Sequence, residues 1–298
     1  MEPTALTPQP RVARRPIPRS VKRLLGERSL LLGTVVLIAV GFMALAAPIL
    51  SPHDPNAMKP ALRLSEPVFM PGGGTTYLMG TDFLGRDVLS RIIYGARVSL
   101  VVGLCTVLGA GIIGVLVGAV AGYYGKWVDE VLMRVVDIGL AVPGLLLALV
   151  IVMLLGAGMF NIILVLSATG WLAFARVTRG VTLSLKERDF ILAARSYGAT
   201  DSRIIIRHLI PNLMAPITVL ASQQLGVFIY AESSLSFLGL GVPLDTPTWG
   251  SMIAQGRSYL DTSWWVSTLP GIVLTITVLG AFYVGDGLRD VLDPRLRR

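Results

Sequence analysis

Residues 138–175 read IGLAVPGLLLALVIVMLLGAGMFNIILVLSATGWLAFA, 38 positions in a row without a charged side chain. A helix crossing ~30 Å of hydrocarbon needs about 20 apolar residues. The run is too long for one crossing and long enough for two. Gly156-Ala157-Gly158 breaks it near the middle, as a tight turn would. This stretch predicts two membrane helices joined by a short turn, and so an all-α, polytopic chain.

Four more apolar runs complete the pattern. They cover residues 29–52, 98–125, 209–244 (interrupted only by Glu232) and 262–285. The total is six transmembrane helices. The first run follows basic residues, as a signal peptide would. It is longer than an h-region of about 7–15 residues, and no small-residue cleavage site follows it. It reads as a retained helix. Composition agrees: 53% of the 298 residues are hydrophobic and 15% are charged, against about 25% charged in soluble domains. Mean hydropathy is +0.70. Disordered, fibrous and most soluble enzyme classes are thereby excluded. Seven per cent aromatic residues and 32 glycines suit packed helices in lipid better than a β-barrel.

The net charge of +8 would suggest nucleic acid in a soluble chain. Here its distribution is topological. Of 26 basic residues, 20 lie in the segments 1–28, 126–134 and 176–212 and in the C-terminal tail (Arg289, Arg295, Arg297, Arg298). The other six lie in 51–97 and at Arg257. Cationic loops stay in the cytoplasm, so both termini are expected there, with no nucleic-acid partner. Trp249, Trp264 and Trp265 fall at the outer edge of the last span, where an aromatic belt is expected. Cys105 lies in an apolar run and reads as a small buried hydrophobe. The domain plan is a disordered basic tail (1–28), a first span (29–52), an external segment (53–97) and a core of five spans (98–298). Within the tail, disorder is expected up to about Ser20.

Residues 176–212 are more than a linker. A helix is expected over 183–197, stopped by Gly198, because glycine tolerates a left-handed C′ position. Thr200 or Asp201 can cap a second helix, 202–210. Pro211 marks the boundary with the fifth span. Ala193-Ala194 lets a neighbouring surface approach closely. A helix–turn–helix with such a patch suits docking into a groove, and it equally suits resting on anionic lipid.

Ala193-Ala194-x3-Gly198 followed by Pro211 resembles the EAA loop of ABC importer permeases, E-A-A-x3-G-x9-I-x-L-P. Leu192 stands at the Glu position, His208 at the Ile position and Ile210 at the Leu position. The stretch GTDFLGRDVLSR (80–91) resembles a segment of the dipeptide/oligopeptide/nickel permease family. SFLGLG (236–241), PTWG (247–250) and GDGLRD (285–290) with Leu292-Asp293-Pro294 resemble its C-type subunit. The resemblance covers about residues 25–298. It implies the type I ABC importer permease fold in a bacterial inner membrane. It implies as partners a second homologous permease, two cytoplasmic ATP-binding-cassette ATPases and an external substrate-binding protein, besides membrane lipid. The EAA loop (186–211) would then dock on an ATPase through Ala193, Ala194, Gly198, Ala199, Asp201, Arg207 and Pro211, with the coupling helix at 198–207. Peptides are the expected cargo, with nickel or another small solute as the alternative.

Independent checks agree. G-x-x-x-x-G-K-[ST] does not occur, and Gly125-Lys126 is followed by Trp127. G-x-S-x-G does not occur either. His53 and His208 are assigned to opposite sides of the membrane, so no His-based metal site is expected, and no cofactor or catalytic residue is assigned. A stand-alone secondary transporter would need several midplane carboxylates, and only Glu232 is available. Glu232 is a candidate for the substrate path or for a structural pair. Gln223 and Gln224 are candidates for the same path or for bonds between helices. Asp137 is expected to pair with Arg134 at i,i+3, Asp82 with Arg86 and Asp87 with Arg91 at i,i+4. Asp87 is also expected to cap a short external helix ending near Arg97, and Gly72-Gly73-Gly74 to form a flexible turn. The charge asymmetry gives the first prediction. Reporter fusions after residues 75 and 298 should report opposite sides of the membrane; a shared side would refute the topology.

Overall fold

The computed structural model of the chain describes residues 27–243 and 245–292. The tail up to Ser20, and Asp293 to Arg298, lie outside the described residues. Eleven α-helices occur among the described residues: α1 (Arg28–Leu45), α2 (Ala47–Leu50), α3 (Val88–Tyr124), α4 (Lys126–Ala141), α5 (Gly144–Leu155), α6 (Met159–Leu185), α7 (Asp189–Ser196), α8 (Asp201–Ile204), α9 (Ile210–Phe237), α10 (Trp249–Gly256) and α11 (Trp265–Leu292). Five stretches are long and apolar enough to cross a membrane: α1, α3, α6, the run Asp201–Phe237, and α11. The bent pair α4–α5 makes six. In lipid each backbone N–H must be bonded within the protein, which helices achieve by themselves.

Glycines set how closely these helices approach. Gly114, Gly118 and Gly122 line one stripe of α3 against α6. A Cβ on Gly118 would run into the Ala175 carbonyl oxygen, and one on Gly122 would sit 2.7 Å from Thr182 Cβ. A second seam joins α1 to α11. There a Cβ on Gly33 would lie 2.6 Å from the Gly280 carbonyl oxygen, and one on Gly280 2.6 Å from Val36 Cγ1. Lipid tails are as apolar as leucine, so close van der Waals contact between small residues drives this pairing. α9 lies between α3 and α11, and α5 packs on α6 through Ala148, Val152, Ile162 and Val165.

Several sequence expectations are corrected here. The external helix near residue 87 is not separate. It forms the opening turns of the 37-residue α3, which Asp87 caps by accepting from the Ser90 N–H. The segment 126–134 is helix rather than loop. The third span is broken, with an 87° bend between α4 and α5. Pro143 causes the break, since it lacks an N–H and holds Val142 extended at φ −94°, ψ 132°. Asp137 pairs across to Arg176 (2.5 Å) rather than with Arg134, and Asp129 pairs with Arg179 (2.6 Å). The helix expected over 183–197 is split at Lys186–Arg188. Pro211 lies in the first turn of α9, as its place at the boundary of the fifth span predicts, directly after a π-helical turn, Ile205–Leu209. Cys105 is exposed on α3 rather than buried.

The glycine seam yields the second prediction. Gly118→Val should destabilise the chain by about 1–3 kcal/mol, because two of the three nearest atoms, the Ala175 carbonyl oxygen and the Arg179 nitrogen, are backbone and cannot move aside. Gly41→Ala, where a Cβ meets nothing within 4 Å, should be neutral or stabilising by about 0.5–1 kcal/mol. Thermal unfolding in detergent reads both; equal melting temperatures for the two variants would refute the close-packed seam.

Candidate functional site: the loop 186–209 and the two ends of the bundle

The loop is a helix–turn–helix resting on the end of α3. Gly198 adopts φ +75°, and a Cβ there would meet open space. The turn therefore needs glycine for its backbone, not for room. Ile191, Ile204, Ile205 and Leu209 are buried with Tyr123 and Phe174 in one apolar cluster, and Leu185, Ala194 and Ala199 pack against it. The small-residue pair is thus divided. Ala193 is exposed, whereas Ala194 turns half-buried toward the chain's own core. The outward tip consists of Leu192, Ala193, Ser196, Tyr197 and Gly198, and Tyr197 is 92% exposed.

The loop is also tied by polar contacts. The Tyr123 hydroxyl donates to Asp201 Oδ1 (2.6 Å) and accepts from Arg195 Nη2 (3.1 Å). The Arg195 guanidinium also lies over the Tyr123 ring, 5.5 Å from its centroid. The hydrogen bond to Tyr123 holds Arg195 above its ordinary range. Thr200 is the N-cap of α8, but neither its side chain nor that of Asp201 caps the helix. The Lys186 ammonium donates to the Gly122 carbonyl (3.1 Å). Arg207 and Pro211 are exposed farther along the same helical run. Tyr197, Tyr123 and Arg195 were not singled out by sequence. An exposed tyrosine has no pattern of its own, and the Tyr123–Asp201 contact spans 78 residues.

The three polar candidates of the fifth span do not converge on one site. Glu232 is fully buried and accepts from the hydroxyls of Ser236 (2.7 Å), Ser99 (3.1 Å) and Ser233 (3.3 Å). It faces α3. Gln223 reaches the other way, donating to Asp286 Oδ1 on α11 (3.1 Å). Gln224 is half-buried on α9.

The opposite end of the bundle carries a buried charge cluster. Arg86 Nε donates to Asp82 Oδ2 (2.6 Å), as the i,i+4 spacing predicts, and its Nη2 donates to Gln255 Oε1 (2.8 Å). Arg91 turns to Asp82 (3.7 Å) and to the Pro55 carbonyl rather than to Asp87. Asp87, occupied in capping α3, faces His53 Nδ1 at 3.2 Å. Trp249 and Trp265 are not a membrane belt. Both are buried, with their indole N–H groups donating to the carbonyls of Ile92 (3.0 Å) and Thr81 (3.3 Å). The turn at Gly72 is held by the Glu66 carboxylate, which accepts its N–H (2.9 Å).

Residues 114–298 match the sequence profile described as binding-protein-dependent transport system inner membrane component. The chain belongs to this family. Residues 17–67 match the N-terminal transmembrane domain of oligopeptide transport permease C. The di/tripeptide transport system permease protein of Pseudomonas aeruginosa is 41% identical over 265 residues, 89% of this chain and 88% of its own. The dipeptide transport system permease protein of Alkalihalophilus pseudofirmus is 38% identical, covering 93% and 89%. The glutathione transport system permease protein of Pectobacterium atrosepticum is 40% identical, covering 88% and 85%. The inward-facing methionine ABC transporter MetNI shares the fold, with a TM-score of 0.55 at 18% identity over 68% of this chain and 97% of its own. The permease is therefore a multi-pass membrane subunit of an ABC importer, working with other transporter subunits.

The third prediction concerns Glu232. Glu232→Ala strands three buried hydroxyl donors, each a loss of about 1–3 kcal/mol if left unpaired. Its melting temperature in detergent should fall clearly, and Glu232→Gln, which keeps an acceptor oxygen, should fall less. Equal stability of Glu232→Ala and wild type would show that the carboxylate holds nothing in place.

Proposed function

We propose that this permease carries short peptides, of two or three residues, into the cytoplasm of a bacterial cell across its inner membrane. The supporting observation is that relatives near 40% identity, matched over most of their length, are named for dipeptides, di/tripeptides and glutathione, itself a tripeptide. In this reading a second homologous permease completes the pathway and two ABC ATPases supply the energy. Both termini and the loop 186–209 face the cytoplasm, and an external binding protein delivers the peptide to the face formed by 51–87 and 240–265.

The loop is the ATPase-docking element in this reading. Its tip is exposed while its inner face is anchored on α3, which is what a part pushed from outside requires. Ala193, Tyr197 and Gly198 form the docking face. Ala194 and Ala199 seat the loop on the permease, and Asp201 holds it there through Tyr123. Arg207 and Pro211 lie on the run that carries the loop into the fifth span. Neither Glu232 nor Gln223 is proposed to touch cargo, since one is enclosed by serines and the other is engaged with Asp286.

The test is uptake of labelled dialanine, trialanine, glutathione and nickel by cells whose own peptide importers are deleted and which carry the complete transporter. Uptake of one or more peptides and not nickel is expected; nickel uptake alone would overturn the assignment. A side chain at Gly198 strains the left-handed turn by ~1 kcal/mol or more and disturbs the docking face. Gly198→Val should therefore insert normally yet lower peptide uptake at least tenfold and reduce co-purification of the ATPase. Normal uptake at normal expression would leave the loop as a lipid-resting helix pair.

A further inference from the structure

Tyr123 stands where three parts of the chain meet. It lies in the last turn of α3. Two residues later Gly125 and Lys126 adopt φ of +65° and +48°, which turns the chain directly into α4. Tyr123 is 6% exposed and belongs to the cluster that seats α7 and α8. Its hydroxyl bonds Arg195 on α7 and Asp201 on α8, one on each side of the Gly198 turn.

We propose that the Tyr123 hydroxyl is the joint that passes a displacement of the loop 186–209 to α3, and through the turn at Gly125 to the bent third span. Tyr123 is then a positioning residue for transport, touching neither peptide nor nucleotide. The inference rests on the assignment of this loop as the ATPase-docking element.

Three observations carry it. Arg195 and Asp201 are both exposed, and a surface ion pair between them would contribute little. Each instead reaches a phenol that is withdrawn from solvent, so the polar contacts of the loop point inward to α3. The hydroxyl accepts from one helix and donates to the other, which fixes both halves of the loop to a single atom; hydrogen bonds to charged groups are stronger and more directional than neutral ones. The apolar seat does not need that atom. Ile191, Ile204, Ile205 and the phenol ring remain packed without it. Holding the loop in place and transmitting its movement are thus chemically separable, and Tyr123→Phe separates them.

The experiment compares wild type, Tyr123→Phe and Gly198→Val in the intact transporter, reconstituted with its ATPases, second permease and binding protein. Peptide uptake (dialanine or trialanine, whichever wild type carries faster) and ATP hydrolysis are measured together. Tyr123→Phe should co-purify with the ATPase in wild-type amounts, while peptide carried per ATP hydrolysed falls at least threefold. A ratio unchanged from wild type, whether or not both rates fall together, would mean a merely structural hydroxyl and would overturn the proposal. If the ratio is unchanged and Gly198→Val has nonetheless lost uptake and ATPase, the docking assignment stands and only the joint fails. If Gly198→Val behaves as wild type, the docking assignment fails and takes the joint with it. Should Tyr123→Phe not accumulate, Arg195→Met at its exposed position decides by the same ratio: a fall supports the joint, and no change overturns it.

Discussion

The contact between α3 and α6 along Gly114, Gly118 and Gly122 is the interaction on which the remaining architecture depends. Lipid offers no hydrophobic advantage to helix pairing, so two backbones must come close enough for dense van der Waals contact. The glycine stripe allows this, and its end at Gly122 lies beside Thr182, three residues before α6 gives way to the loop. The seam therefore fixes where the loop begins. Lys186 and Tyr123 then bind that loop to the same end of α3. A looser seam would move the anchor and the exposed tip of the loop together.

Polar groups are treated in two ways. At the end of the bundle near residue 87 they are buried: Asp82 pairs with Arg86 and faces Arg91, Arg86 reaches Gln255, and Asp87 caps α3 and faces His53. Removing one member of such a set leaves an uncompensated charge, which costs far more than the set contributes as a whole. At the loop end two exposed charged groups, Arg195 and Asp201, converge on one phenol. The first arrangement gives a rigid cap. The second holds the loop without a buried ion pair.

Much of this was legible in the sequence. Long charge-free runs give the spans, because no other element satisfies backbone hydrogen bonding across lipid. The spacing from Ala193 to Gly198 and Pro211 located the loop, and the left-handed glycine followed from residue type. What escaped has a common physical reason. Asp137, Arg91 and Asp87 choose partners by proximity in space, and local spacing rules saw only neighbours along the helix. Trp249 and Trp265 stand at the right sequence depth for a membrane belt but are drawn inward by carbonyl acceptors from a segment more than 150 residues away. Pro143 was hidden inside an apolar run whose length alone suggested a straight crossing. The tyrosines of the loop region carry no motif, and their roles appear only when distant segments are brought together.

The uninterrupted course of α3 has a mechanical consequence. Its 37 residues make a rod roughly 55 Å long at ~1.5 Å per residue. It contains no proline. It is gripped at one end by the capped charge cluster and at the other by Tyr123. Such a rod works as a lever: each degree of tilt about one end displaces the other by about 1 Å. The backbone of α3 thereby ties the positions of its two ends to each other over its whole length.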